Sequence, residues 1–289
     1  MKRCLTCGES FASNFWVCPS CGWTPEEAGP YRLFAPEKAR AREGFEQEFF
    51  ENLVRLEAEN FWFVARNQLI VWAINKYFPS SRRVLEVGCG TGFALSAVAH
   101  TLPEAKLTAS EVLIDGLAHA ASRVSSAEFV QMDARAIPFE SEFDLVTAFD
   151  VVEHIDEDEE AFREMRRATL PGGGLLLTVP QHRFLWSAAD DYAHHKRRYA
   201  RREMEAKIRS AGYAIVRYSS FVALLMPLML LSRMRMKSSQ HYDPLAEFRI
   251  SNKTNRALGY IMAVEQALIR SGVSFPFGGS MLLVARRVN

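Results

Sequence analysis

Three groups of residues have types and spacings that could do chemistry. The first is Cys4-x-x-Cys7-Gly8 and Cys18-x-x-Cys21-Gly22, two thiol pairs with ten residues between them. In a reducing compartment this spacing reads as a four-thiolate zinc site. The glycine after each second cysteine lets the backbone turn so that amides face the sulfurs. A disulfide pairing needs an oxidising compartment, and a redox pair is not expected in duplicate. Four thiolates leave no open position on the metal, so a structural or docking role is expected. Residues 1–24 are too few to build a core alone, and metal binding would supply their folding energy.

The second group is Glu86-Val87-Gly88-Cys89-Gly90-Thr91-Gly92, an apolar strand that ends in glycines. Glycine lets a backbone turn sharply and approach a ligand with no Cβ between. The spacing is G-x-G-x-G, not the G-x-G-x-x-G of a dinucleotide fold. Glu86 just upstream would repel a phosphate and favour a cation or an ammonium group. The third group is Asp190, His195, Arg198 and Tyr199, with His154 further upstream. Histidine beside a carboxylate is the usual means of holding or removing a proton near neutral pH.

The elements that position these groups follow from the pattern. Val84–Val87 reads as a strand and Ala94–His100 as the helix after the loop. Lys106–Glu111, Glu128–Ala134, Phe143–Asp150 and Leu175–Val179 read as four further strands, with helices over 115–124 and 158–169 between them. Strands alternating with helices predict a parallel sheet covered on both faces. Ligands in such sheets sit beyond the strand carboxyl ends. Glu111 and Asp133 both fall there. Tyr213–Tyr218 and Ser280–Val288 complete the set. The expected fold is α/β: a Rossmann-like, seven-stranded, mostly parallel sheet with helices on both faces. A small N-terminal zinc ribbon and a helical insertion before the last strand are added to it.

The motifs together resemble the class I S-adenosylmethionine-dependent methyltransferases. Glu86–Gly92 is similar to the family's first motif, Glu111 to the acid after the second strand, and Asp133 to the acid near the adenine. Phe149-Asp150 with Glu153-His154 and Pro171–Gly174 are similar to the later motifs. The resemblance covers about residue 61 to the C-terminus. It implies that Glu86, Gly88, Gly90 and Gly92 hold the methionine part of S-adenosylmethionine, and Glu111 the ribose. It implies that Asp133 and Ala134 hold the adenine edge, with Met132 either packed on the adenine face or a core methionine, and with Asp150 also among the cofactor-binding residues. Trp62 and Arg66, in and just after the aromatic stretch Phe61-Trp62-Phe63, are candidates to cover the glycine loop as a lid, with Arg66 available for a ligand carboxylate and so a cofactor-binding candidate. The segment from Trp186-Ser187 through Asp190 and His195 to Tyr199 is similar to a subgroup acting on small molecules. It makes His195, His154 and Asp190 the catalytic candidates, with an inter-loop hydrogen-bond network as the alternative for Asp190 and His195.

Domain boundaries follow: ribbon 1–24, a Pro- and Gly-bearing linker 25–36, and a methyltransferase domain 37–289. Within the last lie a helical lid over 37–78 and an insertion over about 219–279. The 289 residues are 48% apolar, enough for a large core, and carry a formal charge of +1. That charge gives no overall pull towards nucleic acid or membrane. No apolar run approaches the roughly 20 residues of a spanning helix, and the first residues lack a signal peptide's apolar stretch, so a cytoplasmic location is expected. The run Phe221–Leu231 with Arg233, Arg235 and Lys237 after it is expected to pack on the core; an apolar acceptor pocket and peripheral membrane contact are the alternatives. The expected partners are a small, apolar or lipid-linked acceptor and a protein docked on the ribbon. Two other functions remain open: an RNA methyltransferase that grips its substrate with the ribbon, and a non-catalytic cofactor-binding scaffold.

Overall fold

The computed structural model describes residues 1–39, 47–236 and 250–288. The chain begins with the ribbon, whose two-residue strands β1 (Lys2–Arg3) and β2 (Ser10–Phe11) pair antiparallel. Residues 25–36, expected as a linker, hold a hairpin of β3 (Glu26–Ala28) and β4 (Tyr31–Leu33) around Gly29, which has φ +59°. Short strands with two glutamates give no apolar alternation, so pairing with the sheet, not local pattern, makes them strands.

Two helices follow, α1 (Gln47–Leu56) and α2 (Phe61–Tyr77). Asn60 caps α2 by accepting from the Trp62 amide at 2.9 Å, so the three aromatics lie inside the helix. The main sheet then alternates with helices: β5 (Arg83–Val87), α3 (Phe93–Thr101), β6 (Lys106–Glu111), α4 (Ile114–Arg123), β7 (Glu128–Gln131), β8 (Phe143–Phe149), α5 (Asp158–Ala168) and β9 (Thr169–Pro180). Beyond come α6 (Ala188–Tyr192), α7 (Arg201–Ser210), β10 (Tyr213–Phe221), α8 (Met226–Met236), α9 (Asn252–Arg270) and β11 (Ser280–Arg287).

The sheet order is β10-β11-β9-β8-β5-β6-β7-β4-β3. Strands β5 to β9 run parallel, and β11 runs antiparallel between β9 and β10. The seven expected strands are all present, and the hairpin adds β4 in parallel to β7, with β3 outside it. Side chains alternate across the sheet with period two. Leu85, Val146, Leu175, Leu177 and Leu283 enter one core, while Val84, Leu145, Leu176 and Leu282 enter the other. A fully buried Leu contributes about 1.5–3 kcal/mol, which is why these central strands read as unbroken apolar runs.

The insertion packs on the lid helix. Gln266 of α9 donates to the Ala65 carbonyl of α2 at 3.0 Å, and Asn255 accepts from the Phe61 amide at 2.8 Å. Buried Glu265 accepts from the amides of Val222 and Leu224 and so holds the turn after β10, where Val222 has φ +60°. Val222 and Leu225 are buried as expected, but Leu224, Leu228 and Leu231 face outward. Lys237 and the side chains of Arg233 and Arg235 lie outside the described residues. Among those described, no helix is long and apolar enough to cross a membrane.

Candidate active site

The carboxyl ends of β5, β6, β8 and β9 meet at one rim. After β5 the chain turns on Gly88, Gly90 and Gly92, with φ of +69°, +49° and +77°. A Cβ on Gly88 would stand 2.5 Å from a Val151 methyl, and one on Gly92 would stand 2.8 Å from the Ala120 Cα. A Cβ on Gly90 would meet nothing within 4 Å. Two glycines therefore allow close packing, and the middle one faces open space where a ligand could lie against backbone.

Carboxylates surround this loop. Glu86 is 1% exposed, and its Oε2 finds no hydrogen-bond partner among the described residues. Burial pushes its pKa up to about 8, against the pull of the Arg66 charge. Glu111 at the end of β6 accepts from the Gly90 amide at 3.0 Å and from the Val112 amide at 2.8 Å. Burial raises its pKa, and those amides work in the opposite direction. From the lid, buried Glu57 accepts from the Thr91 hydroxyl at 2.8 Å and pairs with Arg123 at 2.6 Å. A glutamate in the turn just after α1 looks like any surface charge, so nothing in the sequence marked it.

Three of the expected cofactor residues are engaged with other protein groups. Arg66 is paired with Asp150 at 2.5 Å and lies over the Trp62 ring at 4.9 Å. Its charge is thus already neutralised, although its Nε has no acceptor among the described residues. Asp133 is clasped by Lys38 and by Arg135, which donates from Nε at 3.0 Å. Met132 is buried in the core beneath the sheet. Ala134 is buried at the same rim.

Backbone strain gathers at this end of the sheet. Asp150 after β8, with φ +56°, and His182 after β9, with φ +64°, both adopt the left-handed region that L-residues avoid. Asp150 also accepts from Thr178 of β9 at 3.1 Å. Next to it, Glu153 is 0% exposed, and neither of its carboxylate oxygens has a hydrogen-bond partner among the described residues. The His154 and His195 rings meet edge to face at 4.8 Å. Burial and the nearby His195 hold His154 down at about 3, so it is neutral at physiological pH.

The Trp186–Tyr199 segment is built around Asp190. Its Oδ1 accepts from His195 Nδ1 at 2.8 Å and from Arg198 Nε at 2.7 Å, and its Oδ2 accepts from the Ser187 amide at 2.9 Å. Burial acts to raise its pKa, but His195 and Arg198 outweigh it and hold Asp190 at about 2. The carboxylate stays ionised, fixes the His195 tautomer and leaves Nε2 directed at Glu153, with 4.0 Å to Oε1. Tyr199 is buried and donates to Asp158 at 2.8 Å, so it anchors the segment and takes no part in the rim.

At the far edge of the domain the four cysteines come together. The Cys4–Cys21 and Cys7–Cys18 sulfur separations are both 3.6 Å. All four sulfurs lie within 4.8 Å of one another, and four sulfurs around one zinc at ~2.3 Å stand about 3.8 Å apart, so the group is compatible with such a site. The ribbon leans on the main domain: the Arg3 amide donates to Pro138 at 2.9 Å, and Trp16 packs edge-on against Phe34 and Phe139.

Comparison with known proteins agrees with this geometry. Residues 84–173 match the family model described as a methyltransferase domain. A "Probable S-adenosylmethionine-dependent methyltransferase" of Mycobacterium tuberculosis is 28% identical over 165 residues, covering 56% of this chain and 58% of the relative. A malonyl-(acyl-carrier protein) O-methyltransferase of Enterobacter lignolyticus is 30% identical over 147 residues, covering 47% of this chain and 57% of the relative. The chain thus spans less than two thirds of either. Phosphoethanolamine N-methyltransferase 2 of Haemonchus contortus, solved with S-adenosyl-L-methionine, has the same fold with a TM-score of 0.57 at 18% identity, covering 86% of this chain and 59% of that one. The sheet and loop have the Rossmann-like fold of that solved methyltransferase. Residues 84–173 of this chain carry a methyltransferase domain.

Proposed function

We propose that the chain transfers a methyl group from S-adenosylmethionine to an oxygen of a small acceptor with an apolar body. The observation that carries the cofactor half is Glu86: a buried carboxylate oxygen without a partner beside a glycine loop calls for a cation, and the cofactor's ammonium supplies one. Gly88, Gly90 and Gly92 would lie along the methionine part. Glu111 would accept from the ribose hydroxyls, and Ala134 with Asp133 would border the adenine. When bound, the cofactor supplies a methyl group on a positive sulfur. The methyl passes in line to the acceptor, the C–S electron pair goes to sulfur, and a C–O bond forms. The protein's part is alignment and exclusion of water.

An acceptor entering beyond β8 and β9 would meet Asp190-anchored His195 on one side. On the other it would meet His182, stacked between Phe184 and Phe277 at 5.0 and 5.5 Å. Both phenylalanines are about three-fifths exposed, at 62% and 60%, which suits an apolar acceptor body. The O-methyltransferase among the relatives points to a carboxylate as the oxygen nucleophile; a carboxylate needs no base. The formal charge of +1 argues against the RNA reading. The four cysteines would hold a structural zinc.

The test is transfer of labelled methyl from S-adenosylmethionine to short and long acyl carboxylates, hydroxylated small molecules and RNA, side by side. Labelled methyl ester is expected. Label confined to RNA, with strong salt dependence, would refute the small-molecule reading, and no label in any pool would leave the scaffold reading standing.

A further inference from the structure

Glu153 is a carboxylate buried at the reaction rim. It is wholly buried, and neither oxygen has a hydrogen-bond partner among the described residues. Leaving such a group unpartnered costs several kcal/mol unless it is neutralised or paired. Two imidazoles face it. One ligand atom from each of Glu153, His154 and His195 can be chosen so that all three lie within 4.8 Å of one another. His195 presents Nε2 because Nδ1 is held by Asp190 at 2.8 Å. That carboxylate–histidine pairing is how metal-binding histidines are commonly fixed. The backbone braces the arrangement too: the Lys196 amide donates to the Glu153 carbonyl at 2.7 Å, and the His195 amide to the Asp190 carbonyl at 2.9 Å.

We propose that Glu153, His154 and His195 form a binding site for a divalent transition-metal cation at the reaction rim, with Asp190 as the residue that positions His195. Two imidazoles with one carboxylate suit a first-row transition ion better than magnesium or calcium, which prefer all-oxygen shells. Ligand atoms around such an ion stand about 3–3.5 Å apart at ~2.0–2.2 Å bonds, so side chains whose ligand atoms lie within 4.8 Å of one another need close by at most roughly 1.5–2 Å. Three protein ligands leave positions open. They face the place the proposed function gives to the acceptor, so the inference rests on that reading for its consequence: the ion would hold an acceptor carboxylate by one oxygen while the other takes the methyl group. His195 is then a ligand, not a base, which a carboxylate acceptor allows.

The experiment uses the 289-residue chain loaded with one equivalent of zinc for its four cysteines, then titrates Mn2+ and follows free Mn2+ by electron paramagnetic resonance. One bound Mn2+ per chain is expected. Binding should weaken at least tenfold in Glu153→Gln and in His195→Asn, and should be retained in Cys4→Ser. Circular dichroism of each variant establishes that it is folded, and Asp190→Asn, which keeps the ring contact but loses the charge, should weaken Mn2+ less than either ligand change. S-adenosylmethionine binding is measured by calorimetry on the same samples. Cofactor binding with no bound Mn2+, or Mn2+ held equally by all folded variants, overturns the metal site and leaves the methyl-transfer reading intact. Mn2+ binding without cofactor binding does the reverse.

Discussion

The Glu111 carboxylate accepts from the Gly90 amide at 3.0 Å and ties the end of β6 to the middle of the glycine loop. The loop is thus shaped before any ligand arrives, and the acid proposed for the ribose also sets the backbone that faces the methionine part.

Glu111→Ala removes both functions. Hydrogen bonds to a charged group contribute about 1.5–3 kcal/mol, so calorimetry should show S-adenosylmethionine binding about 10–100-fold weaker. Glu111→Gln, which can still accept from the Gly90 amide, should lose less. Unchanged affinity in the alanine variant would remove Glu111 from the site.

If Glu86 holds the ammonium of the cofactor, as proposed, cofactor binding is proton-linked. Its folded pKa of about 8 lies above the ordinary carboxylate value of 4.5. Between those values the folded chain holds a proton that the unfolded chain has lost, so the Glu86 contribution to stability falls as pH rises through that window and levels off above it. An ammonium placed beside it favours the ionised form. Binding at pH 7 should therefore release up to one proton, read as different heats in buffers of different ionisation enthalpy. Glu86→Gln should give equal heats; equal heats in the unaltered chain would contradict the assignment.

Glu57→Ala strands Arg123 and frees Thr91. The pair is partly screened because the Arg123 side chain is 22% exposed. A loss of about 2 kcal/mol is expected, seen as a lower Tm, with weaker cofactor binding because the loop is no longer held from the lid side. A lower Tm with unchanged cofactor affinity would make Glu57 a purely structural residue.

Chelation of the ribbon metal, or Cys4→Ser, should lower the metal content by one zinc per chain and increase the solvent exposure of Trp16. Trp16 packs on Phe34, just after the hairpin, and on Phe139 of the main domain, so its fluorescence should shift to the red. One zinc retained in Cys4→Ser would contradict the four-thiolate site.

Among the described residues, seven of the nine strands of the sheet were legible in the sequence because they are apolar runs and their turns carry glycine. The carboxyl-end acids were legible from their place after each strand. What escaped depends on partners distant in the chain. Glu57 becomes notable only when α1 is folded against Thr91 and Arg123. Asp133 looked free for adenine because Lys38, its clasp, lies just past a stretch read as a linker. Arg66 looked free for a ligand carboxylate, yet the protein supplies one in Asp150. The hairpin of β3 and β4 was invisible because three-residue strands carry almost no pattern of their own.

That hairpin decides where the sheet ends. Without it, β7 would present an open row of amides and carbonyls along a partly apolar strand, Glu128-Phe129-Val130-Gln131. A bare, apolar border of this kind invites another chain to add on. With it, the outermost strand is Glu26-Glu27-Ala28, short and twice negative. The ribbon's neighbour thus serves as a hem: it moves the border of the sheet to a place where a like-charged copy of itself is repelled, and so guards the chain against stacking edge to edge.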